Sequence, residues 1–145
     1  MLDLVRFARY ALRFERACKS DDWSRVRRSF ADDATYLIDG GAVFTGEVQG
    51  GDAIVSKFRQ MLNDFDRRFD KRIPGLRGLP KVKDGTVTFS WTAKYLVGKE
   101  SALLTGTSHC TFDHGLIVRL HDEMIGAECE GAWDLVQRRG KPIPS

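Results

Sequence analysis

Long apolar runs are missing from this chain of 145 residues. None approaches the roughly 20 consecutive apolar residues that a membrane-crossing helix needs, so no membrane role is expected. Charge of one sign is missing too. The net charge is +3, from 23 Lys and Arg against 20 Asp and Glu. The basic residues are scattered, with Arg25, Arg27 and Arg28 far from Arg67, Arg68, Lys71 and Arg72. Such runs read as solvated helix faces, and without a stacking motif or a basic glycine-rich patch they give no nucleic-acid partner. Cysteine is sparse: Cys18, Cys110 and Cys129 are odd in number and far apart. That pattern fits neither a disulfide framework nor a zinc spacing, and it suggests reduced thiols in a cytoplasmic protein. No phosphate-binding glycine loop occurs, because Gly50-Gly51-Asp52 simply opens a helix. The start, MLDLVRFARY, mixes charges into its apolar stretch without a small-residue cleavage site, so it reads as an amphipathic helix, not a signal peptide.

What is present describes an ordinary globular chain, 42% hydrophobic and 30% charged. Its length suits one domain over residues 1–145 with a real core or a small cavity. Leu4, Phe7, Ala8, Ala11, Leu12, Phe14, Ala17 and Cys18 outline a helical stripe, with Asp3 as its N-cap. Ser20-Asp21-Asp22 breaks this helix and caps a short second one, buried through Trp23, Val26 and Phe30. Ala34 to Ile38 reads as a strand, followed by a glycine-containing loop with an extended piece around Val43-Phe44. Ile54, Phe58, Met61, Leu62, Phe65 and Phe69 then recur at helical spacing, and Pro74, Gly75, Gly78 and Pro80 end that third helix.

From Lys81 the apolar period changes to two. Val87, Phe89, Trp91, Ala93, Tyr95 and Val97 share one face, and Thr86, Thr88, Ser90, Thr92 and Lys94 the other. After a turn at Lys99-Glu100-Ser101, the inner parity is Leu104, Gly106, Ser108, Cys110 and Phe112, with Thr105, Thr107, His109 and Thr111 outside. A turn at Asp113-His114-Gly115 leads to a strand in which Leu116, Val118, Leu120 and Met124 face inward. Asp122 has the same parity as these apolar residues. A carboxylate there is costly unless paired or protonated, and desolvation raises its pKa toward the range useful in proton transfer. The competing reading is a strand end where Asp122 reaches solvent. Residues 126–145 form a last helix, around Ala132 to Arg139, and a tail. Helices first and a long sheet after give an α+β fold, in which a curled antiparallel sheet and the third helix enclose a pocket.

Three segments carry a resemblance to a known family. They are DDWSRVRRSFADDATYLID (Asp21 to Asp39), GGDAIVSKFRQML (Gly50 to Leu62) and HCTFDHGLIVRLHDEM (His109 to Met124). Together they resemble the nuclear transport factor 2-like superfamily, and within it the SnoaL-like and ketosteroid-isomerase-like branch. The resemblance covers most of Ala11 to Ile125. It implies a cone-shaped, cystatin-like α+β fold with a deep pocket, commonly dimeric through the outer sheet face. It also implies that Asp122 matches the acid or base aspartate of SnoaL-like cyclases and limonene epoxide hydrolase. Asp39 lies one residue from the position of the isomerase base, and one residue in a strand reverses the face unless a bulge at Gly40-Gly41 restores it. Ser108 and Phe14 stand where those isomerases place their oxyanion donors, so steroid isomerisation as such is not expected. Tyr10, one turn before Phe14, is a geometric substitute.

The candidate site therefore consists of Asp122 and Asp39 as catalytic groups, with Tyr36, Phe58, Leu62, Trp91, Tyr95, Ser108, Phe112 and Leu120 against the ligand. The buried polar tips of Trp91 and Tyr95 need partners. His109 and His121 point outward and His114 sits in a turn, with no third ligand or second shell at a recognisable spacing, so no metal is expected. No cofactor is expected either. The partners implied are a small apolar molecule and a second copy of the chain. Three function classes follow: a cofactor-independent acid/base enzyme (isomerase, cyclase, dehydratase or epoxide hydrolase type) on a small apolar oxygenated substrate, a non-catalytic hydrophobic-ligand module, and a dimerising interaction domain.

Overall fold

In the computed structural model, which describes residues 2–143, three helices precede most of the sheet and a fourth follows it. The helix α1 runs over Leu2–Ser20 and α2 over Ser24–Ser29. The strand β1 (Phe30–Asp39) leads through a 3-10 turn at Ala42–Phe44 to β2 (Gly46–Gln49), and α3 follows at Gly51–Asp64. Then come β3 (Lys71–Lys83), β4 (Thr86–Val97), β5 (Glu100–Asp113), β6 (Leu116–Met124) and α4 (Gly126–Arg139). Pro142 and Ile143 are the last described residues, so the expected tail at Pro144 and Ser145 lies outside them.

The six strands form one open sheet in the order β2-β1-β6-β5-β4-β3. Four of the neighbouring pairs are antiparallel, while β1 lies parallel to β6. The sheet is therefore mixed, not purely antiparallel. The reason lies in the connection: a helix, α3, and four further strands separate β1 from β6, which leaves room for a parallel return.

Several local expectations are corrected. Tyr10, not Ala8 or Leu12, is buried on α1 with Phe7 and Ala17, and Leu12 is exposed. Asp3 sits inside the first turn and pairs with Arg6 at 3.1 Å, so it is not the cap. The N-cap of α2 is Trp23, without a side-chain cap bond, so the expected cap is not formed; Asp22, one residue earlier, accepts from the Ser24 amide at 3.1 Å and its hydroxyl at 2.8 Å. The segment around Val43-Phe44 is a 3-10 turn, not extended. α3 stops at Asp64, leaving Phe65 and Phe69 around a short 3-10 turn. Pro74, Gly75, Gly78 and Pro80 do not end a helix; they lie within β3, an edge strand where a missing N–H is tolerated. α4 begins at Gly126, earlier than Ala132.

The core divides in two. One cluster joins α1, α2 and α3 to β1 and the far ends of β4, β5 and β6 through Phe7, Tyr10, Trp23, Phe30, Tyr36, Ile54, Phe58 and Leu62. Phe58 is its hub, with ring centroids 5.1 Å from Tyr36, 5.2 Å from Phe14 and 5.9 Å from Trp23. The other cluster seats α4 on the opposite end of the sheet through Phe65, Phe69, Tyr95, Leu104, Leu135 and Val136. Arg68, expected on a solvated face, is buried there and donates to the Lys141 carbonyl and the Gln137 side chain at 2.8 and 2.9 Å.

Candidate functional site

Register decides which side chains meet on the inner face. Within β4 and β5, Phe89 lies opposite Ser108 and Trp91 opposite Gly106. Ser108 in turn lies opposite Asp122 on β6, and Asp122 lies beside Ile38 on β1. A bulge between Thr111 and Phe112 pairings shifts β6, so that Ile117 is fully buried while Leu116 is exposed and Val118 only half-buried. The expected inward parity of Leu116 and Val118 is thus wrong before the bulge. After it, Leu120 and Asp122 point inward as expected.

Asp122 is held at both oxygens. The Ser108 hydroxyl donates to its Oδ1 at 2.5 Å and the Tyr36 hydroxyl to its Oδ2 at 2.7 Å. The Trp91 indole N–H donates to Ser108 Oγ at 2.9 Å, completing a chain from β4 to β1. Gly106 permits this: a Cβ there would lie 2.4 Å from the Trp91 ring, so only glycine lets the indole lie across β5 toward Ser108. Ser108 is nearly inaccessible, at 3% exposure, whereas Asp122 and Trp91 are half-buried and mark the accessible edge of the network.

Opposing effects act on the Asp122 carboxyl. Burial pushes its pKa up and outweighs the Ser108 and Tyr36 hydrogen bonds, which favour the anion, and the weaker pull of His121 and His109. The Tyr36 phenol is raised well above its ordinary value by burial and by the neighbouring carboxylate. The Tyr10 phenol on α1 is raised well above its ordinary value by burial, and further by Cys110 and Asp122. The Cys110 thiol is raised as well, mainly by burial, and so stays protonated.

Not every expected residue belongs to this constellation. Asp122, Ser108, Trp91 and Tyr36 come together. Phe58, Leu62, Phe112 and Leu120 are buried members of the first core cluster, with Phe58 directly against Tyr36. Tyr95 belongs to the second cluster, 4.9 Å from Phe65 and 4.8 Å from Phe69, and is not brought to Asp122. Asp39 turns outward, where it meets His121 Nε2 at 2.6 Å on the opposite face of the sheet. The bulge required to aim it inward does not form before Gly40, because Ile38 and Asp39 keep regular pairing with Asp122 and Glu123.

One polar cluster escaped the sequence reading. Arg72 donates to Glu15 at 2.7 Å, and its Nε lies 3.5 Å from Asp66 without a hydrogen bond. Burial lifts the Asp66 carboxyl to about 6 against the opposing Arg72 charge. No periodicity signals this group, since its members come from α1, the 3-10 turn and the edge strand. Open grooves also lie away from the inner face. One of about 520 Å³ runs along the outer sheet beside Ser90, Thr107 and Glu123, and one of about 430 Å³ lies at α4 beside Trp133. Among the described residues no helix is long and apolar enough to cross a membrane.

The shape has solved counterparts. TerC, crystallized with polyporic acid, superposes with a TM-score of 0.70 at 12% identity, over 92% of this chain and 99% of that one. Bal32a, from a soil-derived mobile gene cassette, gives 0.67 at 20% identity, over 91% and 96%. A nuclear transport factor 2-like protein of Anabaena variabilis gives 0.69 at 12%, over 85% and 89%. At such identities these likenesses speak for the fold alone. No curated protein matches the chain. The family model of the SnoaL-like domain matches residues 11–120, which spans α1 through the Leu120 position of β6. The chain belongs to the SnoaL-like domain family, within the nuclear transport factor 2-like fold.

Proposed function

We propose that this protein acts on a small, largely apolar, oxygenated molecule without a cofactor, with Asp122 moving the proton. One observation carries the reading: a half-buried carboxylate on an apolar sheet face, gripped at both oxygens by the Ser108 and Tyr36 hydroxyls. Burial raises its proton affinity while the two hydroxyls fix its orientation, the combination that general acid–base catalysis needs. Trp91 and the aromatic rings around Phe58 supply the apolar surroundings. Tyr10 replaces Tyr95 as the candidate for orienting a substrate oxygen, because it is buried in the same core cluster as Tyr36 while Tyr95 lies in the other. The reaction class is isomerisation, cyclisation, dehydration or epoxide opening, each of which needs a proton removed from or delivered to an oxygenated carbon skeleton, and isomerisation and dehydration need both.

A second reading is a binding module without chemistry, in which the apolar face around Asp122 holds the same class of molecule and no proton moves. TerC, of similar shape, was crystallized with polyporic acid, which is consistent with either reading. We also propose that two copies pair through the outer sheet face, whose Thr and Ser hydroxyls suit a partly polar interface. Three free cysteines suit a reducing, cytoplasmic setting.

The test is a ligand screen followed by turnover assays on wild type and Asp122→Asn. The substitution keeps the shape and removes the titratable proton. Turnover should fall by about 10²- to 10⁴-fold while ligand affinity changes little. Tight binding without turnover by wild type would move the protein to the binding-module class, and equal turnover by both proteins would remove Asp122 from the chemistry.

A further inference from the structure

We propose that His109, His121 and Glu123 form a binding site for a divalent transition-metal ion of the zinc class on the outer sheet face. The strand register builds it. His109 on β5 lies directly opposite His121 on β6, and Glu123 follows two residues later on the same face. One ligand atom from each of the three lies within 4.8 Å of the others. His109 Nε2 is already 3.2 Å from Glu123 Oε2. Bonds of about 2.0–2.2 Å to nitrogen and oxygen would bring tetrahedral ligand atoms about 3.4 Å apart. The widest gap must therefore close by roughly 1.4 Å, a movement that side-chain torsions supply at half-buried and exposed positions.

Each ring also has a hydrogen-bond partner at one nitrogen. Thr88 Oγ1 lies 3.1 Å from His109 Nδ1, which leaves Nε2 toward Glu123, and Asp39 Oδ2 lies 2.6 Å from His121 Nε2, so Nδ1 is the ligand atom the proposal requires of that ring. Partners of this kind fix the ring orientation of metal-ligating histidines. The partner histidine and the outer shell come from other strands, β5, β4 and β1, so the full set is not displayed by the His121-Asp122-Glu123 spacing alone. Two imidazoles and one carboxylate suit zinc and its neighbours better than magnesium or calcium, which prefer oxygen ligands. A fourth position stays open to water or to a group from a second copy. The outer groove that Glu123 lines with Ser90 and Thr107 reaches that side.

The site shares no side chain with the inner-face hydrogen-bond network, because Asp122 points to the opposite face of β6 from His121 and Glu123. Its test uses the full chain without a tag, titrated with zinc by calorimetry and with cobalt by visible absorption. Saturation at one ion per chain with a tetrahedral cobalt spectrum is the expected result. The His109→Ala/His121→Ala double variant, shown folded by circular dichroism, should lose more than about 100-fold in affinity, beyond the range of outer-shell losses. Thr88→Ala should lose about 10-fold. His114→Ala should bind as wild type does, since that ring is exposed in the turn. Absence of saturable binding, unchanged affinity in the double variant, or a thiolate charge-transfer band from a cysteine would each overturn the proposal.

Discussion

Replacing Ser108 by Ala tests the inner network at its centre. Ser108 Oγ accepts from Trp91 Nε1 at 2.9 Å and donates to Asp122 Oδ1 at 2.5 Å, and the residue is 3% exposed, so water replaces neither partner easily. A hydrogen bond to a charged group contributes about 1.5–3 kcal/mol, and an orphaned indole N–H at a partly buried site adds about 1. The expected cost is therefore about 2.5–4 kcal/mol where Asp122 is ionised. Where Asp122 is protonated, the lost bond is a neutral one and the cost falls to about 1.5–2.5 kcal/mol. Burial raises the folded pKa of Asp122 above 3.8, so its contribution to stability is fully present below that value and lost as pH rises through the folded pKa. Ser108 opposes that rise, and its removal lifts the pKa further. The variant should thus lose stability with rising pH more steeply than wild type. Urea melts of both proteins between pH 4 and 8 measure the difference. A cost under about 0.5 kcal/mol, the scale of an ordinary surface change, or one that is flat across this range, would refute the coupling.

Two further outcomes follow from the structure. Asp66 has a folded pKa of about 6 against 3.8 unfolded, so its contribution is present below pH 3.8 and is lost as pH rises through about 6. That loss is on the order of 3 kcal/mol, and Asp66→Asn should flatten this part of the wild-type stability profile. A profile unchanged by the substitution would show that Arg72 compensates Asp66 fully. For the outer face, the wild type should sediment as a dimer at micromolar concentration, and Thr92→Arg with Thr107→Arg should yield monomers. A monomeric wild type by light scattering would remove the proposed pairing.

Period-two patterning was legible because strand geometry leaves it no alternative. Thr86 to Val97 and Glu100 to Asp113 alternate as read, and the same rule gives Ser108 and Asp122 the parity of the apolar residues. The helical segments were legible in existence but not in extent. Phe65 and Phe69 continue the spacing of α3, yet the helix stops at Asp64 and both rings turn to the α4 cluster. Composition misled at β3, where two prolines and two glycines look like loop. Only its place at the sheet edge makes them tolerable.

Tertiary structure decided the rest, because it depends on which strands become neighbours. The parallel return of β6 beside β1 brings Tyr36, 86 residues away in sequence, to Asp122. The same pairing holds Asp39 on the outer face beside His121, which separates the two carboxylates that a linear reading had joined. A single bulge exchanged Val118 for Ile117 in the core. The chain alone therefore determined the fold class, and side-chain period named Asp122 as the residue in question, while its inward placement was decided by the Ser108 and Tyr36 hydroxyls that hold it. The chain left the donors that hold Asp122, the fate of Asp39 and the His109–His121–Glu123 cluster to long-range register, which no local pattern encodes.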